Sequence, residues 1–171
     1  LNEESNAWQK WQEYKSQVKV DENGFVRLYH IGKTPGLSEL DPNIASKNAQ
    51  IYTRREYERW NRPRIFFFTK EDQEDTAIGA IRGHKYVAQV PWNQLYPVYL
   101  DPLKFLAKEQ EYKEWREEAK GMAQYYPVNK FEMVAHFANE EGYRGFIYPQ
   151  SGKIENLIVA MWDKVPVKSV E

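Results

Sequence analysis

The stretch from Val26 to Leu37 constrains the fold more than any other part of this sequence. It begins as an apolar, β-branched and aromatic run that carries a histidine, His30, and then breaks into Gly32, a Thr-Pro pair and a second glycine. Such a run with an abrupt break predicts a β-strand that delivers His30 to a loop at the end of the strand. A single histidine in a strand is more often a packing residue than a ligand contact, so this pattern alone leaves both roles open.

The segment after this strand is rich in turn-forming residues. From Gly32 to Ala49 the sequence shows no hydrophobic period. Long loops inside compact domains are commonly functional lids or mobile segments. We therefore predict a long loop beside His30 that acts as a lid over a ligand site.

Composition limits the kinds of site that the chain can build. The chain has 171 residues, a formal net charge of −1, three histidines and no cysteine. This length predicts a single domain, residues 1–171. Without cysteine, disulfides, thiolate catalysis and cysteine-based zinc sites are excluded, and the scattered histidines predict no metal site. The near-neutral charge neither implies nor excludes a nucleic acid partner.

The hydropathy pattern predicts a soluble, cytoplasmic protein with no membrane partner. No apolar run approaches the roughly eighteen residues that a membrane span needs. The first residues also lack a basic segment followed by an apolar one.

Hydrophobic periodicity predicts an α+β domain. Within an N-terminal segment, residues 1–20, a helix over residues 5–18 places its large apolar side chains on one face, and these are Trp8, Trp11, Tyr14 and Val18. Further helices are predicted at residues 53–60, 70–81, 101–126 and 130–141. Strands are predicted at residues 64–69, 86–90, 96–100, 145–148, 154–162 and 165–170, with the strand at 64–69 buried, or nearly so, on both faces.

The common catalytic signatures are absent from the sequence, which has no Walker loop, dinucleotide glycine fingerprint, serine elbow or His-Glu metal helix. Three local patterns remain, in a definite order. They are Leu28-Tyr29-His30, then Ile65-Phe66-Phe67-Phe68-Thr69 with Ala77 in the following helix, and last Gly142-Tyr143-Arg144-Gly145 followed by Glu155 and the closing segment 162–170.

These patterns resemble, in this order, the ADP-ribosyltransferase superfamily, particularly its small bacterial and phage-encoded members. That family has a first strand ending in His or Arg, an aromatic strand with a small polar residue before an alanine-bearing helix, and a C-terminal turn with a carboxylate strand. The resemblance spans about residues 26 to 170. It implies an α+β core at 26–170 with a split, mostly antiparallel sheet flanked by helices.

The resemblance also implies an enzyme, an NAD-dependent ADP-ribosyltransferase of the toxin or effector kind. NAD would be its substrate, and a protein or nucleic acid would accept the ADP-ribose. His30 would contact the ribose and amide side of NAD, and Glu155 would be the catalytic carboxylate. Phe67 or Phe68 would stack on the nicotinamide with support from Thr69. The cofactor-binding set implied in this way is Tyr29, His30, Gly32, Thr34, Phe67, Phe68 and Thr69.

This chemistry needs few groups. Cleavage of the bond to a cationic leaving group builds positive charge at the sugar carbon, and one carboxylate can stabilise that charge. An aromatic ring face adds attraction for the cationic nicotinamide.

The sequence departs from the family pattern at two positions. The second motif has phenylalanine where the family has tyrosine, and Arg144 stands where the turn commonly has aspartate. Glu155 fits the carboxylate position only if the preceding turn shifts, and a register change of one residue would point it to the other face. The alternative that Glu155 is a solvent-facing residue at the start of a strand, with no catalytic role, therefore stays open.

Two other functions also stay open. One is an RNA 2′-phosphotransferase of the same broad fold, which the lack of clustered basic residues disfavours. The other is a non-catalytic α+β interaction domain, in which Trp8, Trp11 and Trp92 would contact a protein partner.

Overall fold

The computed structural model describes residues 6–44, 64–71, 83–98 and 138–170. Most of the described residues with regular structure lie in strands. They form one helix, α1 (Asn6–Lys15), and nine strands, which are β1 (Phe25–Gly32), β2 (Glu39–Leu40), β3 (Ile65–Phe68), β4 (His84–Pro91), β5 (Leu95–Pro97), β6 (Gly145–Pro149), β7 (Leu157–Met161), β8 (Val165–Pro166) and β9 (Lys168–Ser169). Short 3-10 turns at Trp92–Gln94 and Gln150–Gly152 connect β4 to β5 and β6 to β7.

Seven strands form one mixed, largely antiparallel sheet in the order β5-β6-β7-β3-β1-β4-β9. The β5–β6 pair is parallel, and the other neighbouring pairs are antiparallel. A second, small sheet pairs β2 with β8. The prediction of a mostly antiparallel sheet is therefore confirmed.

Most predicted strands are confirmed, with shifted ends. The strand predicted at 154–162 begins only at Leu157, because residues 154–156 form a turn. The predicted loop 32–49 contains β2, since Leu40 is buried and pairs with Val165. The prediction that the strand at 64–69 is buried on both faces is wrong at Phe66, which is 42% exposed.

The predicted N-terminal helix is confirmed over Asn6–Lys15. The helices predicted at 53–60 and 101–126 lie outside the described residues, and those at 70–81 and 130–141 lie mostly outside them. Residues 138–140 are helical. In the part of the chain that the structure describes, no helix is long and apolar enough to cross a membrane.

The main core lies between the large sheet and α1. Trp11 and Tyr14 of α1 pack there with Leu28 of β1, Phe67 of β3 and Val159 of β7. The Tyr14 hydroxyl donates a hydrogen bond to the carbonyl oxygen of Val98, which attaches α1 to the end of β5. The opposite face of the sheet carries separate clusters, one of which contains Tyr29, Phe68 and Ile158.

The alternation of side chains along β1 separates Tyr29 from His30, although both were predicted to bind the same cofactor. Successive side chains of a strand point to opposite faces of a sheet. Leu28 packs in the main core, whereas Tyr29 belongs to the cluster on the other face. His30 therefore lies on the α1 side and Tyr29 on the opposite side.

Candidate functional site

A cavity of about 550 Å³ lies at the C-terminal end of β1, and we call it the His30 cavity. Its wall begins with His30 and Gly32 and continues through five residues of the following loop, which are Lys33, Thr34, Gly36, Leu37 and Ser38. It is completed by Glu39, Leu40, Asp41, Ile44 and Ile65. The loop predicted to cover a site beside His30 thus lines a cavity together with His30.

His30 is held in one orientation by the neighbouring strand. Its Nδ1 atom lies 2.8 Å from the carbonyl oxygen of Phe66. Because a carbonyl only accepts hydrogen bonds, Nδ1 carries the proton and donates. The His30 ring also contacts the Phe67 ring, with the centroids 5.6 Å apart.

The other ring nitrogen of His30 is left as an acceptor. Burial lowers the pKa of His30, and the hydrogen bond to Phe66 only partly opposes this effect. The imidazole is therefore neutral at neutral pH, and Nε2 accepts hydrogen bonds. A Cβ atom added at Gly32 would lie 3.3 Å from Nε2, so the absence of a side chain at Gly32 keeps the space beside this nitrogen open.

We expect the stability that His30 contributes to be complete above about pH 6.5 and to decrease below it. Burial lowers the pKa of His30 in the folded state, so in this window the unfolded chain binds more protons and acid favours unfolding. Urea unfolding at several pH values should show this decrease, and the His30→Gln variant should lack it. An NMR titration midpoint of the His30 ring at or above the ordinary histidine value would contradict this expectation.

The loop of the His30 cavity is held by a buried tyrosine. Tyr86 of β4 pairs with His30 across the sheet and is fully buried. Its hydroxyl donates to the carbonyl oxygen of Thr34 and accepts from the backbone N–H of Leu37, with an N···O distance of 3.2 Å. Tyr86 is absent from the predicted site residues, because no local signal in its strand points to a loop some fifty residues earlier.

We expect Tyr86→Phe to release this loop. The substitution removes two hydrogen bonds, so the free energy of unfolding should fall by about 1–2 kcal/mol. Amide hydrogen exchange at Leu37 should become faster, because its N–H loses its acceptor. Tyr29→Phe is the matched control, because Tyr29 lies on the other face of the sheet. Unchanged exchange at Leu37 in Tyr86→Phe would contradict this role.

The structure divides the predicted cofactor-binding residues among different environments. Gly32 and Thr34 line the cavity with His30, whereas Tyr29 and Thr69 line a different one. Phe67 and Phe68 are only 1% and 6% exposed, so neither presents an open ring face for stacking. The Thr69 hydroxyl donates a 3.0 Å hydrogen bond to the carbonyl oxygen of Leu157.

Glu155 lies at the other end of the sheet from the His30 cavity. Ile65, which lines that cavity, pairs with Met161 at the C-terminal end of β7. Glu155 is exposed and lies in the turn before the N-terminal end of the same strand. The structure therefore brings His30, Gly32 and Thr34 together and does not bring Glu155 to them.

Two other carboxylates line the His30 cavity. Glu39 and Asp41 lie in the segment that the sequence analysis interpreted only as a loop. Asp41 Oδ1 accepts from the backbone N–H of Asn43 at 3.0 Å, and Oδ2 lies 4.0 Å from the Lys164 ammonium. An Asp-Pro-Asn turn signal covers Asp41, but its place beside His30 depends on the pairing of β2 with β8.

The residues of the His30 cavity do not form a metal site of the usual kind. In the described ranges, no group of three or more histidine or carboxylate side chains could hold a metal ion. The site instead combines one neutral imidazole, two carboxylates and one exposed lysine, Lys33, with apolar walls. This set is suited to binding a polar organic molecule.

Comparisons with protein-family models, with curated proteins and with solved structures found no match. The interpretation of the site therefore depends on its geometry and on the local sequence patterns.

Proposed function

We propose that this chain is an NAD-dependent ADP-ribosyltransferase that binds NAD in the His30 cavity and transfers ADP-ribose to a protein or nucleic acid. The observation that carries the proposal is the neutral imidazole of His30, which Phe66 holds in one orientation and which lines a cavity together with the loop that follows β1. A histidine at this place is what the resemblance to the superfamily implies. We extend the proposal to the finer fold, a split sheet flanked by helices of the ADP-ribosyltransferase kind.

The chemistry of His30 supports binding of ribose or carboxamide. A neutral imidazole whose Nδ1 is already bonded offers one acceptor, Nε2. Ribose hydroxyls and the amide group of nicotinamide both donate hydrogen bonds, so either can bind there. The bond to Phe66 orients the ring before a ligand arrives, which reduces the entropy lost on binding.

The size and the walls of the cavity also support a nucleotide ligand. Its volume of about 550 Å³ lies within the range of roughly 300–1,000 Å³ that is typical of small-molecule sites. Leu37 and Ile44 supply exposed apolar surface for a ring. Lys33 is exposed, has no carboxylate partner among the described residues, and can pair with a diphosphate.

The catalytic carboxylate has two candidates in this proposal. The resemblance to the superfamily implies Glu155, which lies in the turn before β7. Of the two carboxylates in the cavity wall, Glu39 is exposed, whereas Asp41 is half-buried beside Lys164 and is the second candidate. Either carboxylate would stabilise positive charge on the ribosyl carbon as the nicotinamide leaves.

A binding domain without transferase activity is the second candidate function. The observation that favours it is the separation of Glu155 from the cavity that contains His30. In this case NAD would bind and no ADP-ribose would be transferred.

Calorimetric titration with NAD tests the binding step. We expect His30→Ala to weaken NAD binding about tenfold, since it removes one well-placed acceptor. Gln89→Ala, an exposed position on β4, serves as the control and should leave NAD affinity unchanged. Absence of NAD binding by the unmodified chain would overturn both candidate functions.

Incubation with labelled NAD and a cell lysate tests the transfer step. Label on protein or nucleic acid supports the transferase, and NAD binding without label supports the binding domain. Loss of label in Glu155→Gln with unchanged NAD affinity would assign the carboxylate to Glu155. Loss of label in Asp41→Asn instead would assign it to the cavity wall.

A further inference from the structure

We propose that a second cavity of this chain binds the phosphate group of a small phosphorylated ligand. This cavity has a volume of about 600 Å³, and we call it the Tyr29 cavity. It lies between the segment that follows α1 and the C-terminal end of β3. The residues that carry the argument are Ser16, Gln17, Lys19, Tyr29, Thr69 and Lys70.

The Tyr29 cavity is independent of the NAD proposal. Tyr29 and His30 are adjacent in β1, but their side chains point to opposite faces of the sheet. Thr69 donates a hydrogen bond to Leu157, at the N-terminal end of β7. The His30 cavity lies at the other end of the β3–β7 pair, where Ile65 pairs with Met161. A ligand in the Tyr29 cavity would therefore not contact His30.

Cationic residues line and adjoin the Tyr29 cavity. Lys19 and Lys70 line it directly, and the Lys70 ammonium lies 3.4 Å from Gln17 Oε1. Arg27 adjoins it, because its guanidinium lies 5.9 Å from the centre of the Tyr29 ring and its backbone N–H donates to the Lys19 carbonyl oxygen at 3.2 Å. Within the described ranges, no carboxylate lies within ion-pair distance of Lys19, Arg27 or Lys70.

The acidic residue of this cavity does not neutralise those cations. Glu71 lines the cavity, but its carboxylate is paired with the Lys85 ammonium at 3.4 Å. Glu155 lies near this end of the sheet and is exposed, and it does not line the cavity. Two or three positive charges are thus left for an anion to bind.

The shape and lining of the cavity indicate a small phosphorylated molecule. A phosphate carries up to two charges and several acceptor oxygens, so it suits a cavity lined by more than one cation better than a single carboxylate does. Val18 and Tyr29 line the cavity but are only 9% and 3% exposed, so they close its inner side and leave the cationic side chains to bind the ligand.

Titration of the isotope-labelled protein with pyrophosphate, followed by amide NMR at constant ionic strength, tests this proposal. We expect saturable shifts at the amides of residues 16–19 and 70. Acetate, with a single charge, should shift them far less. Lys70→Gln and Lys19→Gln should each weaken pyrophosphate binding about three- to tenfold, because each removes one charge-assisted hydrogen bond.

Lys153→Gln is the matched control, because Lys153 is exposed in the turn before β7 and does not line the Tyr29 cavity. It should bind pyrophosphate as tightly as the unmodified chain. Equal weakening by all three lysine variants would show a nonspecific charge effect and overturn the proposal. Pyrophosphate shifts confined to residues 32–37, or no saturable shift at all, would also overturn it.

Discussion

Replacement of Phe67 by alanine is expected to lower the free energy of unfolding by about 3–5 kcal/mol, the usual cost of removing a buried phenylalanine side chain. Phe67 is 1% exposed and lies in the central strand β3, where it packs in the main core. Its ring also contacts the His30 ring. The substitution therefore leaves a cavity at the centre of the sheet and removes support from the proposed NAD site.

Phe66→Ala is the matched control for Phe67→Ala. It makes the same chemical change at the preceding residue of the same strand, but Phe66 faces the other way and is 42% exposed. The expected cost is below about 1 kcal/mol, because much of the ring is already in water. Urea unfolding of both variants measures the difference, and equal costs would contradict the orientation of β3.

Replacement of Trp11 by alanine is expected to have a similarly large effect, a loss of about 3–5 kcal/mol in unfolding free energy. Trp11 is 1% exposed and stacks on Trp92, with ring centroids 5.2 Å apart and planes inclined by 6°. This stack joins α1 to the turn between β4 and β5. The near-UV circular dichroism of the coupled indoles should be lost in the same variant.

Gln12→Ala controls for the loss of helix stability alone. Gln12 is the next residue of α1 and is exposed, so its replacement should change the unfolding free energy by less than about 0.5 kcal/mol. A small effect of Trp11→Ala would mean that α1 is not anchored through this stack.

The Trp11–Trp92 stack also bears on the interaction-domain hypothesis. That hypothesis assigned Trp8, Trp11 and Trp92 to a protein contact. Trp11 is buried in the core, and Trp92 is partly buried against it, so Trp11 does not present its ring to a partner. The predicted partner contact of Trp8 lies outside the side chains that the structure describes.

Local patterns were sufficient to locate most strands of the sheet. β1, β3, β4 and β6 coincide with apolar runs bounded by turn residues, because burial on a sheet selects such runs. Local patterns did not predict β2, which has only two residues, and they placed the start of β7 three residues too early. Isolated short pairings leave little local signal, since their stability comes from the partner strand.

Strand pairing could not be obtained from the sequence. β3 lies between β1 and β7, and the parallel β5–β6 pair joins segments about fifty residues apart in the chain. Such contacts depend on which apolar faces fit together across long chain separations. The position of Glu155 away from His30 is a direct result of this pairing.

The sequence by itself determined that His30 lies near the end of a strand that a loop with glycines follows, because backbone breaks and strand alternation are local properties. Only the tertiary structure decided what surrounds His30. It brought Phe66 to Nδ1, Tyr86 to the loop and Asp41 to the cavity wall, and it left Tyr29 and Thr69 in a separate cavity. These neighbours come from other strands, and their positions follow from sheet order and register, which long-range packing determines.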